Sequence, residues 1–217
     1  MTNQIEIDIV SDVVCPWCAI GYGNLSQALE QLNSQIQADI QWHPFQLNPQ
    51  LPKAGQDIGE HLTEKYGLTP EQRLVNQQRI KDAGAAAGVE FNFGERSRIY
   101  NTFDCHVLLE WAKSQGKQTQ LKLALFDAYF TQGQDISEPA VLLSVCESVG
   151  LDQSKAQAVL ADEVLRASVR QEEDQFKNMG IHSVPAFIIN KKYLISGGQP
   201  VESFKQALLE IAEKEGA

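Results

Sequence analysis

The most informative stretch of this 217-residue sequence is Val13-Val14-Cys15-Pro16-Trp17-Cys18. Before it, residues 3–10 largely alternate polar and apolar side chains, a pattern that predicts a β-strand. After it, apolar residues recur with helical spacing at Ile20, Leu25, Ala28, Leu29 and Leu32. Pro16 would then stand in the first turn of this helix, where its missing N–H costs nothing. The two cysteines are therefore expected where a strand passes into a helix.

The neighbouring segments extend this pattern towards both ends of the chain. A second strand is predicted at about residues 38–42. Far downstream, residues 184–190 are rich in β-branched and aromatic side chains, and a turn at Lys191-Lys192 would join them to a partner strand at 193–195. An amphipathic helix is predicted at residues 201–213. These patterns predict a strand-helix-strand unit and a hairpin-helix unit that share one sheet.

The middle of the chain differs from both ends. Residues 57–179 are dominated by helix formers with apolar side chains at helical spacing, and strand signals are scarce. Thr69-Pro70-Glu71 is typical of a helix start, and the last helix of this block is predicted to stop at Gly180. We therefore expect an α/β protein in which a thioredoxin-like domain, formed by residues 1–56 and 180–217, carries a large all-helical insertion.

Composition and charge exclude several classes of protein. With 43% hydrophobic residues, the chain can bury a large core as one domain or as a domain with an insertion. The formal net charge of -10 argues against binding to nucleic acids or to anionic membranes. No apolar run is long enough to span a bilayer, and residues 1–10 lack the basic start and the continuous apolar stretch of a secretory signal. We therefore expect a cytoplasmic protein that binds neither nucleic acid nor membrane.

Two cysteines separated by two residues at a helix start are suited to thiol-disulfide exchange. Cys15 would face the unpaired N–H groups and the partial positive charge of the helix N-terminus, which favour its thiolate. Cys18, one turn further along, could then attack a mixed disulfide on Cys15 and release the substrate. We expect Pro16 and Trp17 to shape the turn and contact the substrate. The reaction needs no cofactor beyond the redox-active disulfide, and glutathione is a candidate cosubstrate.

A second part of the site is expected at Val184-Pro185. A proline at the start of a strand that begins a hairpin is where thioredoxin-like proteins hold a cis peptide bond, and such bonds are rarely incidental. Facing the dithiol, this segment would offer the backbone of Val184 to an extended substrate, as in strand addition. Val184 and Pro185 are therefore expected to bind the substrate, which would be a protein or a low-molecular-weight thiol or disulfide.

Several segments together carry a resemblance to a known family. They are Asp12-Val13-Val14-Cys15-Pro16-Trp17-Cys18, Pro44-Phe45-Gln46-Leu47-Asn48-Pro49, Val184-Pro185-Ala186-Phe187 and Ile195-Ser196-Gly197-Gly198-Gln199-Pro200. In these segments the sequence resembles the FrnE-like branch of the DsbA family, over nearly the whole chain. The resemblance implies a thioredoxin fold interrupted by a helical domain and a cytoplasmic dithiol oxidoreductase. It implies Cys15 as nucleophile, Cys18 as resolving thiol and Pro185 as the cis-proline.

Other interpretations of individual residues stay open at this point. The motif cysteines could supply half of a zinc site, with Cys105 and His106 as further ligands, but the two pairs have unlike spacings. We expect no metal, and we expect Cys105 and Cys146 to be small buried packing residues. His182 could favour the thiolate when protonated, but an exposed loop histidine is the simpler interpretation.

Two further functions compete with disulfide exchange. The 2-hydroxychromene-2-carboxylate isomerases, which use glutathione, resemble the same fold and look to keep serine where this chain has Cys15. A peptide-binding or chaperone-like module with the dithiol as a regulator is the non-enzymatic alternative. Two cysteines are unnecessary for isomerisation and necessary for redox exchange, so the sequence favours an oxidoreductase.

Overall fold

The computed structural model describes residues 3–94 and 97–216. The strands are, in chain order, β1 (Asn3–Ser11), β2 (Ile36–Pro44), β3 (Gln56–Asp57), β4 (Arg98–Ile99), β5 (Ala186–Ile189) and β6 (Tyr193–Ser196). The α-helices are α1 (Pro16–Gln31), α2 (Ile58–Tyr66), α3 (Pro70–Ala87), α4 (Phe103–Ser114), α5 (Gln118–Phe126), α6 (Pro139–Ser148), α7 (Gln153–Leu160), α8 (Glu163–Asn178) and α9 (Val201–Gly216). A π-helical turn, Asp127–Thr131, continues α5. No helix in the described part of the chain is long and apolar enough to cross a membrane.

The main sheet has the strand order β2-β1-β5-β6. Strands β1 and β2 are parallel because α1 connects them, with Ile7 opposite Ile40. Strand β5 runs antiparallel to β1, with Phe187 opposite Ile9, and pairs with β6 through a hairpin. Every residue of β5 is buried, as an internal strand requires. This arrangement confirms the predicted α/β class and thioredoxin-like fold.

The structure departs from the sequence-based prediction in the lengths of some elements. Strand β2 is longer than predicted, since its pairing with β1 continues to Pro44 opposite Ser11. The short pair β3-β4 was not predicted, because two-residue strands are too short to show an alternation of polar and apolar residues. Strand β3 lies at the N-terminal border of the predicted insertion, and β4 lies inside it.

Strand β2, at the edge of the sheet, is covered by the helical segment rather than left open. The side chain of Gln118 in α5 accepts a hydrogen bond from the Trp42 backbone N–H (2.9 Å) and donates one to the Trp42 carbonyl (2.8 Å). The Trp42 indole N–H donates to Thr119 (3.0 Å), and its ring packs edge-on against Phe126. A side-chain amide thus satisfies the backbone groups that an edge strand exposes.

His43, also on β2, ties the sheet to α8. Its Nδ1 lies 2.6 Å from Glu172 of α8, and its Nε2 lies 2.7 Å from Asp8 of β1. Burial lowers the pKa of His43, but the hydrogen bonds to the two carboxylates outweigh it and hold the pKa above its usual value. His43 therefore has a structural role, because it joins β2 to β1 and α8.

One close helix contact positions α3 beside α1. A Cβ atom at Gly23 of α1 would lie 2.3 Å from the carbonyl oxygen of Ala87 in α3, so only glycine permits this approach. The buried apolar side chains of both helices belong to one core with most of those of the sheet and with those of helices α4 to α7. The predicted division into two domains, at residues 57 and 179, stays a prediction.

Candidate active site

The dithiol lies at the junction of β1 and α1. Cys15 is the N-cap residue of α1 with extended backbone angles, and Pro16 occupies the first helical turn. The Cys18 N–H donates to the carbonyl of Cys15 (3.1 Å), which closes the first turn and brings the two residues together. Both cysteines are free thiols. Cys15 is 5% exposed and Cys18 is fully buried, so a reagent reaches Cys15 first.

The loop before β5 faces the dithiol. The Val184–Pro185 peptide bond is cis, and the thiol of Cys15 lies 3.7 Å from the carbonyl oxygen of Val184. Pro185 is buried, and its carbonyl accepts a hydrogen bond from Gly197 (2.8 Å). The chain therefore brings residues 15 and 184 into contact across 169 positions of sequence. Of the two residues expected to bind substrate here, Val184 is the one that lines the adjoining cleft.

A cleft of about 1000 Å³ opens above Cys15. Its walls come from the start of α1, the loop after β2, helices α2 and α3, and the segment before the cis-proline. The lining includes the predicted substrate-binding residues Pro16, Trp17 and Val184, together with His182. His182 is exposed, as the simpler interpretation of the sequence expected. A cleft of this volume is of the size that ligand sites in proteins have, and it gives access to Cys15.

Behind the dithiol lie buried ionisable groups. Asp12 is fully buried; one of its oxygens accepts a hydrogen bond from the Leu47 N–H (2.8 Å), and the other lies 3.4 Å from Nε2 of His106. Burial raises the pKa of Asp12, but the contacts with His106 and Leu47 lower it more, so the carboxyl is held below its usual pKa. Asp12 thus anchors the loop that follows β2.

Lys122 of α5 was not identified from the sequence. Its side chain is fully buried, and its Nζ has no hydrogen-bond partner within residues 3–94 and 97–216. The ammonium lies 5.2 Å from the ring centre of Trp42 and 5.1 Å from that of Phe126, as in cation–π contacts. The available signal was its position: Lys122 shares the apolar face of α5 with Leu121 and Leu125.

The charge of Lys122 acts on the thiol of Cys18. Burial and the neighbouring Cys15 raise the pKa of Cys18 well above its usual value, and the positive charge of Lys122 opposes that rise. In return, burial lowers the pKa of Lys122, while Cys18 and Asp12 raise it. The positive charge of Lys122 therefore favours the thiolate form of Cys18.

Replacing Lys122 by methionine is expected to raise the pKa of Cys18 further, because a buried charge that favours its thiolate is lost. The resolving step at neutral pH should slow by on the order of tenfold. The measurement is the release of thionitrobenzoate from a mixed disulfide preformed on Cys15, followed over a range of about pH 6 to pH 10. The matched control is Lys155→Met, on the exposed face of α7. An unchanged pH profile in Lys122→Met would assign Lys122 to packing alone.

The other two cysteines lie away from the cleft. Cys105 is buried, and its thiol donates to the carbonyl of Ile136 (3.5 Å); burial raises its pKa. Burial raises the pKa of Cys146 to about 11. Neither residue lines the cleft, in keeping with the expected packing role. Among residues 3–94 and 97–216, no group of three or more His, Cys, Asp or Glu side chains is arranged to hold a metal ion.

The chain is similar to a known protein family and to several solved structures. Residues 6–209 match the family model described as a DSBA-like thioredoxin domain. A probable DsbA oxidoreductase from Streptomyces coelicolor is 32% identical, with 97% of this chain and 91% of that chain covered and a TM-score of 0.89. The cytosolic disulfide reductase DsbM from Pseudomonas aeruginosa, solved with GSH, is 19% identical at a TM-score of 0.65, over 96% and 99% of the two chains. A 2-hydroxychromene-2-carboxylate isomerase is 14% identical at a TM-score of 0.68, over 97% and 98% of the two chains.

Proposed function

This chain belongs to the family of DSBA-like thioredoxin domains and is a DsbA-like disulfide oxidoreductase, and we propose that it works through the pair Cys15 and Cys18. One observation supports this most directly. The more accessible thiol, Cys15, caps a helix at the floor of a cleft and touches the backbone of Val184, while Cys18 is buried one turn behind it. Nucleophile, resolving thiol and a backbone segment for the substrate thus meet in one place.

The proposed reaction has two steps. The thiolate of Cys15 attacks one sulfur of a substrate disulfide, which forms a mixed disulfide and expels the other sulfur as a thiolate. Cys18 then loses its proton and attacks the sulfur of Cys15, which releases the second substrate thiol and leaves the Cys15–Cys18 disulfide. The substrate gains two electrons and the protein loses two. A thiol such as glutathione would return the protein to its dithiol form.

The substrate would lie along Pro16, Trp17 and Val184, which line the cleft. Val184 stands before the first residue of β5, and its backbone is placed where an extended chain could pair with it. Protein and low-molecular-weight disulfides are both compatible with this geometry. The cytoplasmic location predicted from the sequence would favour reduction or isomerisation of disulfides over net oxidation, because that compartment is reducing.

A glutathione redox titration tests the proposal. The full-length protein is equilibrated with defined ratios of reduced and oxidised glutathione, alkylated, and analysed by mass spectrometry. We expect a reversible disulfide between Cys15 and Cys18, with Cys105 and Cys146 unaffected because neither of them lines the cleft. A midpoint near that of thioredoxin, about -270 mV, would mark a reductant, and one near that of DsbA, about -120 mV, an oxidant. We expect the reductant value.

The same titration separates the alternatives. Failure to form a Cys15–Cys18 disulfide at any glutathione ratio would contradict dithiol exchange. If the protein nevertheless bound glutathione, the isomerase hypothesis would gain, since the isomerase shares this fold. A chaperone-like module would be supported only if suppression of a client's aggregation survived replacement of both motif cysteines by serine.

A further inference from the structure

The cleft differs in charge from the protein as a whole. The chain carries a formal net charge of -10. Among the described residues that line the cleft, however, three side chains are cationic, Lys65, Arg73 and Arg79, and one is a carboxylate, Glu71. A local excess of positive charge in an acidic protein attracts anions to that position, because the surrounding surface repels them.

The cations in the cleft are not equivalent. The ammonium of Lys65 donates to the carbonyl of Leu47 (2.8 Å) and to the side chain of Asn48 (2.6 Å), so it holds α2 to the loop after β2. The side chain of Arg73 packs directly on Gly59 of α2. A Cβ atom at residue 59 would lie only 2.1 Å from Nη1 of Arg73. Both side chains therefore have positions set by the wall of the cleft.

Arg79 is the cation that stands beside the dithiol motif. Its guanidinium carbon lies 5.2 Å from the ring centre of Trp17, the residue immediately before Cys18. One of its nitrogens donates to Asn76 of the same helix (3.3 Å). Arg79 is otherwise exposed, and a guanidinium has five N–H donors in a fixed planar arrangement that matches a carboxylate. Trp17 thus orients a cation at the rim of the site.

We propose that the cleft selects disulfides that carry carboxylates, and that Arg79, held on Trp17, is the residue that binds the carboxylate. The inference rests on the proposed function and narrows its substrates to disulfides that carry a carboxylate close to the reacting sulfurs. The chemistry is the exchange already described: Cys15 bonds to one sulfur, the other leaves as a thiolate, and Cys18 then releases the second. Arg79 takes no part in bond making; it determines which disulfide is held next to Cys15.

The test compares two aromatic disulfides that differ in charge. One is 5,5′-dithiobis(2-nitrobenzoate), which carries a carboxylate on each ring, and the other is 4,4′-dithiodipyridine, which is neutral at neutral pH. Second-order rate constants are measured by stopped flow with the full-length reduced protein, and the rate of Cys15→Ser is subtracted as background. We expect Arg79→Gln to slow the reaction with the anionic disulfide about tenfold and to leave the neutral one within about twofold.

A matched control uses a second arginine that packs on an aromatic ring outside the cleft. The guanidinium of Arg170 lies 4.5 Å from the ring centre of Phe103, and Arg170 does not line the cleft. Arg170→Gln is expected to react with both disulfides as the wild type does. In the wild type, added salt should slow the anionic disulfide alone, because salt screens exposed charges.

Each outcome separates the inference from the proposed function. If Arg79→Gln slows both disulfides equally, or neither, the selection of carboxylates is overturned, while dithiol exchange still stands. If the reduced wild type reacts with neither disulfide faster than Cys15→Ser does, the proposed function itself fails. A tenfold loss confined to the anionic disulfide, absent in Arg170→Gln, supports the inference.

Discussion

Replacing Cys15 by serine is expected to reduce the rate at which the protein catalyses insulin reduction by dithiothreitol by on the order of 10³-fold or more. The hydroxyl of serine is not ionised at neutral pH and cannot form a disulfide, so the first step has no nucleophile. No other cysteine can take its place, because Cys18 is fully buried and neither Cys105 nor Cys146 lines the cleft. Turbidity from precipitating insulin chains measures the rate.

Replacing Cys18 by serine is expected to block the second step of the exchange instead of the first. Cys15 can still attack, but the mixed disulfide has no internal thiol to resolve it, so a covalent complex with the substrate should accumulate. Mass spectrometry without a reducing agent detects this complex.

Cys146→Ala, which alters a buried cysteine of α6 away from the cleft, is the matched control for both substitutions and should retain wild-type activity. Comparable activity in Cys15→Ser and Cys146→Ala would contradict the assignment of the nucleophile.

Replacing Phe187 by alanine is expected to lower the free energy of unfolding by about 3–5 kcal/mol. The side chain of Phe187 is fully buried on the central strand β5 and packs edge-on against Phe204 of α9, with ring centres 4.9 Å apart. It also fills the space beside Gly21 of α1, where a Cβ would come within 3.1 Å of its ring. Truncation would therefore leave a cavity between the sheet and both of these helices. Urea unfolding followed by circular dichroism measures the change.

Leu194→Ala is the matched control for this truncation. Leu194 lies on the adjacent strand β6, opposite Ile188, and is 55% exposed. Its replacement should change the free energy of unfolding by less than about 1 kcal/mol. Equal losses in Phe187→Ala and Leu194→Ala would contradict the burial of Phe187 against α1 and α9.

The order of elements could be predicted from the sequence because it depends on local patterns. The period of apolar residues around Cys15 marks the passage from β1 to α1, and the run before Lys191-Lys192 marks the hairpin β5-β6. Side chains three or four positions apart on a helix, or two apart on a strand, face the same side whatever the rest of the chain does. The spacing of the two cysteines likewise places them in one helical turn.

The surroundings of the dithiol depend on contacts between distant parts of the chain, which local patterns do not encode. Asp12 meets His106, and Trp42 meets Gln118, only because the helical segment docks on the edge strand β2. The same docking buries Lys122. Because lysines are mostly exposed, its burial could not be predicted from the sequence.

The segment Cys15-Pro16-Trp17-Cys18 depends on both local sequence and tertiary packing. By itself, the sequence determined that these residues form a dithiol at a helix start, because that follows from spacing and periodicity within a few turns. The sequence also led us to expect Val184 opposite the dithiol, but only the tertiary structure brought its carbonyl oxygen to 3.7 Å from the Cys15 thiol and placed Arg79 on Trp17 at the rim of the cleft. Those positions follow from the packing of helices and loops far apart in the chain, where burial and charge depend on the whole fold.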